Sequence, residues 1–324
     1  MTAFRMPIAK MHTVYSVDEV EKKLTKLKNK GSEQEHRNLA STYERMLELG
    51  PERFCVKPAR LPEMDDLYEW LPNFTEALDD IRRSLALSQR SEDPLELTPM
   101  LLLGPPGVGK THFASQIADL LGTGMTLVPM GSMTAGWILS GSSSQWKGSK
   151  PGKVFDSLVE GQYANPVILV DEIDKSSSNA QYDPMGPLYS LLEHDTAKFF
   201  HDEFADVALN TCQVHWFMTA NDDRNIPEPI LNRVNVYQIK PPSAEASRKI
   251  AKRMYRSILE DHGWGQTFTS EPLDDVLDHF VGMPPREMRR GWMTGLGNAC
   301  LRNGGEVTLD DLPKAEKGKN RIGF

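Results

Sequence analysis

Residues 101–122 read "LLLGPPGVGKTHFASQIADLLG", and three kinds of segment follow one another within them. A short apolar run comes first, then a turn rich in glycine and proline, then a stretch whose apolar residues recur at helical spacing. The turn carries G-x-x-x-x-G-K-T as Gly104 to Thr111. Glycines at this spacing let backbone N–H groups point inward around phosphate oxygens, and the N-terminus of the following helix adds partial positive charge. The segment Gly104, Pro105, Pro106, Gly107, Val108, Gly109, Lys110, Thr111 and His112 is therefore expected to bind the phosphates of ATP. Lys110 would reach the β- and γ-phosphates, and the Thr111 hydroxyl would ligate Mg²⁺.

Outward from this unit, short apolar runs alternate with helical or loop segments: "MLLLG", "MTLVPM", "NPVILV", "QVHWFMTA" and "NVYQIK". Runs of this length, separated by longer connections, predict parallel strands covered by helices on both faces, an α/β P-loop fold. In "NPVILVDEID" (165–174) a buried strand ends on Asp171 and Glu172, at the end where open parallel sheets bind ligands. Asp171 is expected to hold Mg²⁺ through water, and Glu172 to polarise the attacking water. After "KPPSAEA" the strand signals stop, and 244–312 reads as helices. Towards the N-terminus, 14–50 reads as two charged helices closed by Gly50-Pro51. Leu39, Tyr43, Met46 and Leu47 form a narrow apolar stripe on the second, suited to docking on another surface such as a second subunit. Residues 51–62 read as a proline-punctuated link. The expected organisation is an N-terminal helical segment (1–60), a large α/β ATPase domain (61–242), a small helical lid (243–312) and a flexible tail (313–324).

The formal charge of −8 and pI near 5.6 argue against a general nucleic-acid or anionic-membrane binder. Cys55, Cys212 and Cys300 match no metal-binding spacing, and so sparse a set suits a reducing compartment. The N-terminus has no apolar signal region, and no run is long enough to span a membrane, so a cytoplasmic location is expected.

Four stretches, "GPPGVGKT" (104–111), "VILVDEID" (167–174), "FMTANDDRNIPEPILNRV" (217–234) and "MPPREMRR" (283–290), resemble in this order an AAA+ ATPase. "WKGSKPGKVFDSLVEGQYANPVILVDEIDK" (146–175) and "DPMGPLYSLLEHDTAKFFHDEFADVALN" (183–210) narrow the resemblance to the ATPase module of the Lon family. It covers roughly residues 65–310 and implies a helical lid and a homo-oligomeric, hexameric ring. By position, Asn221 resembles sensor 1, which orients the water beside Glu172. Arg233 resembles the arginine finger that reaches the neighbouring subunit's nucleotide, and Arg286 resembles the sensor-2 arginine of the lid. Two adjacent prolines depart from the family there, and Arg289 and Arg290 follow closely. Lon proteins continue into a peptidase domain with a Ser-Lys pair, whereas this sequence ends just past its lid, so no peptidase site is expected.

In "SGSSSQWKGSKPGK" (140–153) a tryptophan stands among serine, glycine and lysine. Such a loop offers little to bury an indole, which removes ~150–250 Å² from water when covered. The matching Lon position is the aromatic of the central pore, which implies that Trp146, Lys147 and Gly148 contact a threaded protein substrate. The implied activity is ATP-driven unfolding or remodelling of proteins, with a separate effector or protease as a candidate partner. The rival reading is an ATP-dependent switch or loader on a nucleic-acid machine, for which Lys147, Lys150 and Lys153 would face phosphate. The C-terminal "RIGF" is a candidate docking tail.

Overall fold

The computed structural model describes residues 8–29, 34–132, 137–146, 148–175 and 183–313. Nine strands occur among them: β1 (Ile8–Thr13), β2 (Glu52–Lys57), β3 (Met100–Leu103), β4 (Met125–Pro129), β5 (Val167–Asp171), β6 (Phe200–His201), β7 (Ala208–Leu209), β8 (His215–Ala220) and β9 (Asn235–Gln238). The apolar runs of the sequence become one parallel sheet ordered β4-β5-β8-β3-β9. Its inner strands are apolar almost without interruption because both their faces are covered. Every residue of β3 and β8 is buried, and so are Val167 to Val170 of β5. The edge strand β9 is exposed except at Tyr237.

Helices α1 (Val17–Asn29), α2 (Gln34–Leu49), α3 (Asp65–Trp70), α4 (Thr75–Ser88) and α5 (Lys110–Leu121) come first. Short helices α6 (Trp137–Ser140), α7 (Lys153–Phe155), α8 (Leu188–Leu191), α9 (His194–Ala197) and α10 (Glu228–Leu231) follow, then α11 (Ala244–Asp261), α12 (Asp274–His279) and α13 (Pro285–Leu301). α5 buries Phe113, Ala114, Ile117, Ala118 and Leu121. These fall on one face, which brings the Phe113 ring to 6.1 Å from that of Phe217 on β8.

The chain divides into two compact units. The first takes the described residues of Met1–Glu63, Glu76–Gly104 and Lys110–Ile239; the second takes those of Met64–Thr75, Pro105–Gly109 and Lys240–Phe324. The first unit corrects the expectation for the N-terminal segment. Residues 52–57 are a strand, not a link, and pair antiparallel with β1. "ERFCVK" buries Arg53, Cys55, Val56 and Lys57, and Phe54 bridges to Tyr163. The stripe on α2 is filled by the chain itself: Leu39, Tyr43 and Met46 belong to the core that contains Ile168, Val170 and Trp216.

In the second unit the helical expectation holds. Ser243 caps α11 by accepting from the Ala246 N–H at 3.2 Å. Tyr255, Phe280, Met288 and Trp292 lie in its core, with the Trp292 ring tilted against those of Tyr255 at 4.8 Å and Phe280 at 4.5 Å. The indole N–H of Trp292 donates to the Ala251 carbonyl at 3.0 Å, so its one polar atom is satisfied.

Candidate nucleotide site and substrate loop

β5, β8 and β3 lie side by side with Val170 opposite Met218 and Leu103 opposite Ala220. This register brings Asp171, Glu172, Asn221 and Gly104 out at one edge of the sheet, their C-terminal edge. Lys110, the first residue of α5, is 9 % exposed. Its ammonium donates to the Gly104 carbonyl at 2.5 Å and to Asn221 Oδ1 at 3.0 Å. Burial pushes its pKa down, while Asp174, Asp171 and Glu172 pull it up. The Lys110 charge is thus held by the sheet edge that the motif places beside phosphate. Gly104 is fixed by close approach, since a Cβ there would stand 2.1 Å from the Ile239 carbonyl oxygen.

A hydrogen-bonded link joins the residues expected to handle metal and water. Thr111 Oγ1 donates to Asp171 Oδ1 at 3.3 Å, and Thr219 Oγ1 donates to the same oxygen at 2.5 Å. Thr219 in turn accepts the Glu172 N–H at 2.9 Å. Glu172 has φ 55°, in the left-handed region, which costs an ordinary residue about 1–3 kcal/mol. Its carboxylate is held by Lys175 at 2.5 Å, and Gly131 leaves room for it: a Cβ there would lie 2.6 Å from Glu172 Oε2. The Asn221 N–H donates to Asp174 Oδ2 at 3.2 Å, while Asp174 Oδ1 is buried without a hydrogen-bond partner. The sequence motifs do not single out Thr219, Gly131 or Asp174, although Thr219 and Asp174 lie two residues from Asn221 and Glu172.

Thr111 and Asp171 offer two oxygens close enough to share one hard cation. Mg²⁺ needs about six and takes the rest from phosphate and water, so this donor set fits a nucleotide-bound Mg²⁺. When bound there, the ion would offset the phosphate charge.

Within the second unit, the turn Pro105–Gly109 has φ +83° at Gly107 and +102° at Gly109, which only glycine adopts without strain. A Cβ on Gly107 would stand 2.9 Å from the Pro284 Cβ, so glycine is also required by packing. Asn73 ties this turn by donating to the Val108 carbonyl at 3.3 Å and to that of Lys240 at 3.1 Å. Pro105 and Pro106 are exposed and Val108 is buried. Arg286 is exposed in the first turn of α13, two residues beyond Pro284. His112 is exposed in the first turn of α5.

Arg233 lies just past α10 and is engaged within its own chain. It pairs with Glu193 Oε2 at 3.1 Å and donates to the Pro229 carbonyl at 2.6 Å. Trp146 is 43 % exposed and packs edge-on against Trp137, with ring centroids 5.6 Å apart at 79°. Trp137, at the start of α6, therefore covers part of an indole that the serine- and glycine-rich loop itself offers little to bury. Gly148 has φ +81° and open space around it. Lys147 and the tail from 314 to 324 lie outside the described residues.

A parallel sheet with a glycine-rich turn after one central strand, an acidic pair after its neighbour but one and asparagine after the strand between defines a P-loop NTPase. Residues 100–242 match the model of the ATPase family associated with various cellular activities (AAA). The chain is also similar to Lon proteases: it is 35 % identical over 188 residues to the peroxisomal Lon protease homolog 2 of Oryza sativa subsp. indica, covering 57 % of this chain and 21 % of that protein. It is 37 % identical over 163 residues to Lon protease 2 of Hydrogenovibrio crunogenus, covering 50 % and 19 %. The chain thus spans about a fifth of the length of these relatives. Among solved structures it resembles the Thermotoga maritima RuvB Holliday junction branch migration motor, with TM-score 0.51 and 16 % identity over 78 % of this chain and 70 % of that one. At that identity the likeness shows the shared fold.

Proposed function

We propose that this chain is an ATP-hydrolysing motor that forms a homo-hexameric ring and unfolds, threads or remodels a protein substrate. The observation that carries the reading is the Thr111–Asp171–Thr219–Glu172 link beside the Lys110–Asn221 pair. It pre-orients a metal-holding carboxylate and a water-polarising one at the sheet edge. In this proposal Gly104 to His112 hold ATP, Thr111 and Asp171 hold Mg²⁺, and Glu172 activates water oriented by Asn221. Arg233 acts in trans and Arg286 acts from the lid. Residues 61–242 form the motor domain, 243–312 the lid, and Trp146, Lys147 and Gly148 grip the substrate. The ring works in the cytoplasm for a separately encoded effector or protease, and no peptide cleavage is assigned to these residues.

Glu172→Gln tests it. The variant is expected to bind ATP with Mg²⁺ at wild-type affinity while phosphate release falls at least a hundredfold. Wild-type phosphate release would remove Glu172 from the role. Wild-type turnover is expected to rise with an unfolded polypeptide and not with duplex DNA; the reverse would favour the nucleic-acid loader.

A further inference from the structure

Asp202 carries no part of the mechanism above, yet it is a fully buried carboxylate at the start of the turn between β6 and β7. Its Oδ1 accepts the N–H groups of Phe204 at 3.0 Å and Ala205 at 2.9 Å, which is a local turn. Its Oδ2 reaches 50 residues back and accepts the Gly152 N–H at 2.8 Å. Gly152 and Gly141 form the neck of the loop that presents Trp146. A Cβ on Gly141 would lie 2.8 Å from Asp202 Oδ2, and one on Gly152 would lie 2.2 Å from the Leu139 carbonyl oxygen. Both glycines are therefore needed for the carboxylate and the two sides of the neck to come this close. A second tie lies alongside: the Glu203 N–H donates to the Ser140 carbonyl at 2.6 Å, and Ser140 Oγ donates to Glu203 Oε1 at 3.1 Å.

The turn is itself anchored. Tyr43 on α2 donates its hydroxyl to the Ala205 carbonyl at 2.8 Å, and Lys23 on α1 pairs with Asp206 at 2.6 Å. A continuous path of hydrogen bonds and ion pairs thus runs from the N-terminal helices through the turn to the neck of the Trp146 loop. We infer that Asp202 is a positioning residue that fixes the neck of the substrate loop to the N-terminal helices. The inference rests on reading Trp146 as the substrate grip, but the tie itself is a separate, measurable claim.

The carboxylate is raised from the ordinary aspartate value to about 6, because burial outweighs the three N–H donors and Asp156 adds repulsion. The charges around it are carried by Glu203 and Asp206 on its own turn, Lys23 on α1, and Lys153 and Asp156 after the loop. Asp202→Asn keeps one oxygen for Phe204 and Ala205 but presents an amide N–H₂ to the Gly152 N–H. In the full-length variant, hydrogen exchange of amides in 139–153 is expected to rise at least tenfold, with β3 and β8 unchanged. Stimulation of ATP turnover by reduced, carboxymethylated lactalbumin should be lost with basal turnover kept. The wild type should also lose stimulation as pH falls through about 6, whereas the Asn variant should stay unstimulated on both sides of that pH. Tyr43→Phe, which removes only the hydroxyl anchor, should raise exchange in the same segment less steeply, and it carries the test if Asp202→Asn does not fold. Unchanged exchange across 139–153 in the folded variant overturns the inference. Faster exchange with stimulation intact upholds the tie and instead overturns Trp146 as the grip.

Discussion

Two buried side chains, Asp202 and His215, oppose one another in their effect on stability. His215 is 1 % exposed, and its Nε2 lies 3.3 Å from Asn165 Nδ2, which also donates to the Val56 carbonyl. An imidazole that accepts there must be neutral, and burial lowers its pKa from 6.5 to about 4. Between these values the unfolded chain binds more protons, so this contribution to stability, present above pH 6.5, is lost as pH falls towards 4. Asp202 works the other way. Its pKa rises from 3.8 to about 6, so the folded chain binds more protons in that window, and stability is lost as pH rises through it. Each effect is on the order of 3 kcal/mol, and the two nearly cancel in the wild type. His215→Gln, which keeps an acceptor for Asn165, should therefore gain stability relative to wild type on acidification from pH 6.5 to 4. Asp202→Asn should lose it. Urea titrations at several pH values check this, and three parallel curves would show that neither group titrates as its burial requires.

Among the elements, the Trp146 loop and its neighbouring helix supply the sharpest test of the proposed substrate grip. Trp137 opens α6 and is 45 % exposed; edge-to-face packing with Trp146 is worth about 0.5–1.5 kcal/mol. That is enough to bias the orientation of Trp146 while leaving nearly half of it available to a passing chain. Trp146→Ala should keep basal ATP turnover and assembly but lose polypeptide stimulation, whereas Trp146→Tyr should retain much of it. Trp137→Ala should give an intermediate loss, because the remaining indole is no longer held. Normal remodelling by the Trp146→Ala variant would show that the loop does not grip. Elements were legible in the sequence where one physical constraint dominated them. β3, β5 and β8 are covered on both faces, so "MLLL", "VILV" and "HWFM" announce themselves. β2 carries two buried charged residues that bond distant backbone: one nitrogen of Arg53 reaches the Val159 carbonyl, and Lys57 reaches those of Ser88, Ser91 and Asp93. No local pattern encodes partners so far along the chain, and "ERFCVK" between prolines reads as a link. The site divides the same way. Gly104, Lys110, Thr111, Asp171 and Glu172 sit at fixed spacings beside recognisable strands. Thr219 acquires its role only when β8 is laid against β5, and Asp202 only when its turn meets Gly152.

At the scale of the whole molecule, the question is whether one chain completes its own catalytic centre. Arg233 is committed to Glu193, with the Arg233 side chain 31 % and the Glu193 side chain 52 % exposed. A pair this open contributes about 0–1 kcal/mol, so a nucleotide phosphate from a neighbouring copy can displace Glu193 at little cost. In the proposed head-to-tail ring one such heterologous contact would recur at every interface, with Lys110 of one subunit and Arg233 of the next at each shared centre. Arg233→Ala should then lose most ATP turnover, on the order of 10³-fold for a finger of this kind, while still binding nucleotide. Lys110→Ala should fail for a different reason, by weakening nucleotide binding itself. In rings mixed one to one at random, about a quarter of the interfaces would join an intact Lys110 to an intact Arg233. Turnover should recover in proportion, although neither variant alone is active. The measurement is phosphate release across a mixing series, with co-assembly verified by mass. A flat, inactive series from co-assembled rings would place Arg233 in its own subunit's chemistry and leave the Glu193 pair as its working contact.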